Sequence, residues 1–183
     1  MIRATKKSDD TTIHEAPERA ASAASNREFF QHTSRALVEL IGLDKGLVLL
    51  KRKNRWSVEA RFPAGEYEGT VREFSSSVLA RIEEDRKTYF SDSGSISSAE
   101  SLASVQAVVA SPIMNHKGEV IGAVYGIRDK NTRKNLDITI GNLEAQMVRL
   151  LASTVAVGIA RLETASNFNA FFGSELALEL EKN

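Results

Sequence analysis

Apolar residues recur along this chain with two different periods, and the switches between them outline its elements. From Asn26 to Ile41, the residues Phe29, Phe30, Ala36, Leu37, Leu40 and Ile41 fall on helical spacing, and Gly42 closes the run. Two strand-like runs follow, Gly46 to Arg52 and Arg55 to Phe62, separated by Lys53 and Asn54. In the second run Trp56, Val58 and Ala60 alternate with Ser57, Glu59 and Arg61, which predicts one buried face and one wet face. A loop containing Gly65 and Gly69 leads to a short helix over Ser75 to Glu84, with Val78, Leu79 and Ile82 inward. Thr88 to Ser91 is then a short strand.

The serine-rich segment Asp92 to Ser104 lacks large apolar residues and reads as a loop. Val105 to Ile113 and Glu119 to Arg128 are β-rich runs joined by a polar turn over Met114 to Gly118. Gly122 inside the second run predicts a close approach from across the fold. After a polar stretch over Asp129 to Leu136, a long helix is expected from near Asp137 to about Thr164. Its inward residues should be Leu143, Met147, Leu150, Leu151, Val155 and Ile159. Strands joined by short turns pair antiparallel and need helices on their faces, so the fold class is α+β.

The two ends read differently from this core. Up to about Ser25 the chain is polar, with isolated apolar residues such as Ile2 and Ile13, and is expected to be a linker or tail. Alanine enrichment over Glu15 to Ser25 allows a helix to start there and run into the next element. Residues 26–163 then form the domain and 164–183 a helical connector. Charge narrows the partners: 24 basic and 24 acidic side chains leave no net charge, which argues against a nucleic-acid partner. The absence of cysteine excludes disulfides, thiolate metal sites and a cysteine nucleophile. The apolar runs are far shorter than the roughly 20 residues of a membrane span, and the charged start is no signal peptide. A cytoplasmic chain without a membrane partner is the expectation.

At the middle of the chain the residues resemble a known family. SVQAVVASPIMNHKGEVIGAVYGIRD (Ser104 to Asp129) is similar to the central hairpin of a GAF domain. SSSVLARIEEDRKTYFSDS (Ser75 to Ser93) resembles that family's helix, short strand and exit loop, and NLEAQMVRLLASTVAVGIARLE (Asn142 to Glu163) its C-terminal helix. The resemblance implies a GAF-like antiparallel sheet with helices on its faces and a long C-terminal signalling helix. It also implies a ligand pocket between the sheet and the second helix, lined by Phe62, Phe74, Val78, Phe90, Ser91, Asp92, Ser104, Ala107 and Tyr125. An apolar wall with a few polar groups suits a small molecule or nucleotide. The alternative is that the phenylalanines fill the core and the serines solvate a loop.

The cyclic-nucleotide-binding members carry an Asn-Lys-Phe-Asp-Glu constellation, whose positions here are Asp129, Lys130, Ile140, Glu144 and Ala145. Only the lysine is kept, leaving room for a Lys130–Glu144 ion pair. The missing thiol removes a covalently attached bilin. NFNAFFGSELALELEKN (Asn167 to Asn183), with its stripe of Phe168, Phe171, Phe172, Leu176 and Leu180, resembles the connector before the catalytic domain of bacterial class III adenylate and guanylate cyclases.

For chemistry of its own the chain offers little. His14, His32 and His116 are far apart in sequence and match no metal-binding spacing. The serines between Ser91 and Ser104 have no neighbouring histidine base. The expectation is therefore a non-enzymatic sensory domain with no evident cofactor, forming a homodimer through its N- and C-terminal helices to control a downstream output domain. Two alternatives remain open: a ligand-free structural dimerisation module, and a GAF domain attached to a kinase or transcription regulator.

Overall fold

The computed structural model describes residues 12–65, 73–92, 105–129 and 139–180, with side chains described for 25–65, 73–90, 107–129, 139–165 and 167. In chain order the elements are α1 (Thr12–Glu39), β1 (Lys45–Arg52), β2 (Arg55–Phe62), α2 (Ser76–Asp85), β3 (Tyr89–Asp92), β4 (Val105–Met114), β5 (Val120–Asp129) and α3 (Asn142–Leu180). The strands form one antiparallel sheet in the order β2-β1-β5-β4-β3. This is the expected α+β arrangement, with α1 and α3 on one face of the sheet and α2 on the other.

Short turns set the strand pairing. Lys53 and Asn54 both have positive φ (48° and 63°), the backbone that a two-residue hairpin needs to match strand twist. At the β4–β5 turn the Asn115 carboxamide oxygen accepts from the Lys117 and Glu119 backbone N–H groups, at 3.0 and 2.9 Å. The expected alternation in β2 is interrupted: the register slips opposite Val48 and Leu49, so Glu59 is an extra residue. Trp56 and Val58 therefore pack toward α2, whereas Ala60 joins the α1 and α3 side. A bulge changes the period locally and is invisible to a count of alternating residues.

Both long helices pack differently from expectation. The helix expected from Asn26 runs back to Thr12. Its inward stripe is Phe30, Thr33, Ser34, Leu37 and Ile41, while Leu40 is 74% exposed. Thr33 and Ser34 take inward places because their hydroxyls donate back to the Phe29 and Gln31 carbonyls, so neither is left unpaired. On α3 Ala145, Val148, Ala152 and Val155 are buried, and Met147, Leu151 and Ile159 pack against the same core as expected; Leu143 and Leu150 point outward. Small alanines let α3 lie close to the sheet, where the larger leucines would not fit. By length and composition Asn142–Ala165, of mean hydropathy 1.3, would suffice to cross a membrane, but this inward stripe packs on the sheet. Between the helices, the Phe29 ring lies so near Gly158 that a β-carbon there would stand 2.6 Å from it.

The start of α3 is tied down by a buried cation. The Arg128 guanidinium on β5 donates to the Thr139 carbonyl and to Glu144, the latter at 3.2 Å, and Glu144 also accepts from the Gly141 N–H at 3.0 Å. A hydrogen bond from its own backbone N–H, then Arg128 and the Gly141 N–H, holds the Glu144 carboxyl below the usual carboxylate range. Glu144 is thus paired with Arg128; Lys130, considered above as its partner, lies outside the described residues, as do residues 93–104 and 130–138.

Gly122 is where the expected close approach occurs. A β-carbon there would sit 2.5 Å from the Leu49 carbonyl oxygen and 2.9 Å from Leu50 Cδ2. The first of these is backbone in a paired strand and has no room to yield. Gly122→Ala should cost about 1–3 kcal/mol of stability in a urea unfolding titration; an unchanged midpoint would contradict this packing.

Candidate functional site

Helix α2 is built to roof one face of the sheet. Ser75 caps it in extended backbone (φ −86°, ψ 122°), its hydroxyl accepting from the Val78 N–H at 3.4 Å. Val78, Leu79 and Ile82 then face inward, and Arg86 ends the helix in the left-handed region at φ 52°. Opposite them stand Leu47, Leu49, Val108, Ala110, Ala123, Tyr125 and Ile127, all buried. Trp56, Val58, Phe74 and Tyr89 close the rim. Arg81 stacks over Tyr89 at 4.9 Å, and Lys51 reaches Glu83 from β1, so cations on or near the roof have partners.

Tyr125 occupies the middle of this layer. Its side chain is fully buried and its hydroxyl oxygen accepts the Ser75 N–H at 3.1 Å. Burial, the main cause, pushes its pKa up to about 12; the Ser75 hydrogen bond acts in the opposite direction. The phenol joins the cap of α2 to the central strand through the space a ligand would enter.

The nine residues expected to line a pocket divide between the two faces. Val78, Phe74 and Tyr125 are together beneath α2. Phe62 pairs with Gly46 on the α1 side, where Arg35 stacks on its ring at 5.2 Å. Ala107 belongs to the core under α3. Phe90 pairs with Val109 and is 41% exposed toward α3. Ser91 and Asp92 pair with Val108 and Ala107 in β3, but their side chains lie outside the described residues, as does Ser104 entirely. Phe90 is turned away by strand parity, one position from Tyr89 on the α2 face, and Phe62 by the bulge at Glu59, which puts it on the side of Ala60 although it is four positions from Val58.

Two concavities open on the face of α1 and α3. One is a groove of about 1510 Å³ between α1 and the β1–β2 hairpin; Phe62, Arg35, Lys51 and Glu59 contribute to it. His32 is on its wall, exposed and 3.6 Å from Glu28. The other, of about 600 Å³, lies between α3 and the β3–β4 edge and includes Phe90, Arg86, Lys87 and Arg149. The sequence did carry a signal for this second cleft: Arg149 has no acidic residue three or four positions away on its helix. Among the described residues no group of three or more His, Cys, Asp or Glu side chains is placed to hold a metal ion.

No protein-family model and no curated protein matches the chain. Solved structures do resemble it. The blue-light-absorbing form of the PixJ GAF domain of Thermosynechococcus elongatus aligns over 84% of this chain and 96% of its own, at TM-score 0.65 and 16% identity. A methyl-accepting chemotaxis protein (its residues 122 to 287) aligns over 81% and 96%, at 0.60 and 19%. A type II free methionine-R-sulfoxide reductase from Thermoplasma acidophilum aligns over 74% and 92%, at 0.58 and 16%. The chain therefore has the GAF fold. Since that fold carries both a light-absorbing domain and an enzyme, it does not by itself choose a function.

Tyr125 yields a test. Tyr125→Phe leaves the Ser75 N–H buried without a partner and should cost about 1–3 kcal/mol. The pH dependence has a defined sign. The native phenol keeps its proton to about pH 12 while the unfolded chain releases it near the ordinary tyrosine value of 10.0, so stability falls as pH rises between them. That loss, on the order of 2–3 kcal/mol, should appear in unfolding titrations of the native protein and be missing from Tyr125→Phe.

Proposed function

We propose that the chain is a sensory or regulatory GAF domain that works as a parallel dimer and passes a signal along α3. The observation that carries this reading is the outward stripe of α3. Leu143, Leu150 and Val157 are 70%, 68% and 54% exposed, and they recur every seven residues on the side opposite the stripe packed on the sheet. Apolar residues at every seventh position supply one of the two apolar positions of a left-handed coiled-coil heptad, and a second copy of the same helix presents the matching repeat. At 39 residues α3 is about 58 Å long, enough to transmit a rotation well beyond the domain. The structural neighbours include a light-absorbing domain and a chemotaxis protein, which supports a sensory role.

The output is read from the resemblance of Asn167 to Asn183 to the connector of bacterial adenylate and guanylate cyclases; a kinase or transcription regulator is the alternative. A second reading of the α2 face has its own support. Tyr125 fills the space beneath the roof, which favours a domain whose pocket takes no ligand there and whose role is dimerisation.

Sedimentation equilibrium tests the dimer. The protein should self-associate, and Leu150→Arg should weaken association by at least about tenfold. Measured at a concentration where the protein is monomeric, its thermal midpoint should hardly move, because Leu150 is exposed within one protomer. A strict monomer at about 1 mM, equivalent to association weaker than about 4 kcal/mol, would overturn the reading.

A further inference from the structure

The cleft between α3 and the β3–β4 edge has a charge pattern of its own. Several cations elsewhere are paired with carboxylates: Arg35 with Glu39, Arg61 with Glu73, Arg81 with Asp85 and Arg128 with Glu144. Arg86, Lys87 and Arg149 gather around the cleft instead, and none has a carboxylate partner among the described residues. Among the described residues lining the cleft none is acidic. Three like charges held together without a counter-charge repel one another, and a bound anion relieves that repulsion.

Geometry adds a second requirement. Phe90 and Met114, both partly exposed large apolar side chains, form part of the same wall. Arg86 is the left-handed residue ending α2, a place where glycine is the usual occupant, and this backbone sets its side chain at the cleft. Arg149 comes from the second turn of α3, and Lys87 from the approach to β3. The α2–β3 connection and α3 thus supply the cations, and the sheet edge supplies an aromatic face. A volume of about 600 Å³ is within the range of small-molecule sites.

We propose that this cleft binds a small anion carrying an aromatic ring, such as an aryl phosphate or carboxylate. The ring packs on Phe90 and Met114, and the anionic group is held by Arg149, Arg86 and Lys87. Guanidinium groups suit this because their paired N–H donors match two oxygens of a phosphate or carboxylate. The site is on the opposite side of the sheet from α2, so it does not depend on any space beneath Tyr125. It also sits one flank away from the stripe of Leu143, Leu150 and Val157 on α3, with Arg149 next to Leu150 in sequence. Occupancy is therefore placed to bias how that helix pairs.

Isotope-edited NMR and calorimetry with three probes test this: 1-naphthyl phosphate, inorganic phosphate and neutral 1-naphthol. The aryl phosphate should saturate, bind at least about tenfold tighter than either of the others, and weaken as salt is raised. Its shifts should centre on 86–90 and 142–153. Arg149→Gln and Lys87→Gln, both at exposed positions, should each weaken binding by about tenfold while leaving the melting temperature in place. Leu150→Arg should still bind, which separates this site from the dimer. Shifts centred on Val78 and Tyr125, equal binding by the glutamine variants, loss of binding in Leu150→Arg, or no saturation would each overturn the proposal.

Discussion

The arrangement of both helical layers depends on β5, and above all on the guanidinium of Arg128. It is buried at the end of the central strand and directed at the first turn of α3, where it meets the Thr139 carbonyl and Glu144. Two of its nitrogens are matched by these oxygens and its buried Nε has no partner among the described residues, so moving this end of α3 would strand further donors away from water. Three residues earlier on the same strand, Tyr125 projects from the opposite face and receives the N–H that begins α2. One strand thereby registers a helix on each side.

The two faces are nevertheless used differently. Beneath α2 the aliphatic residues and the Tyr125 ring fill the layer, and the polar atoms at its centre bond each other. On the other face the small residues of α3 let it approach the sheet closely along one line, while the space beside that line stays open toward β3 and β4. A helix that is anchored at one end, packed along one stripe and apolar on the opposite stripe is a suitable carrier of a conformational bias.

Much of this was legible in the residues. The order of elements, the antiparallel sheet, the inward residues of α2 and the close approach at Gly122 follow from spacing and turn chemistry. The misread features share a cause, because amphipathic patterns report which residues are apolar and not how near two elements lie. Leu143 and Leu150 were expected inside on size, but a helix lying close to a sheet takes alanine there. Phe62 and Phe90 were expected to share a pocket with Val78, and the bulge and strand parity, respectively, put them on the other side. The bulge at Glu59 and the partnership of Arg128 with Glu144 are tertiary facts: each depends on a residue distant in sequence.

The bulge has a wider meaning for assembly. β2 is one border of the sheet, and a border strand with unpaired peptide groups invites another strand to add to it. The extra residue at Glu59 bends that border, and Arg55 and Arg61 place charge along it. At the other border β3 is only four residues long. Sideways growth of the sheet into fibres or swapped oligomers is discouraged at both ends. Under the proposed dimer, contact between copies would be left to side chains on the helices, where a single substitution can tune it.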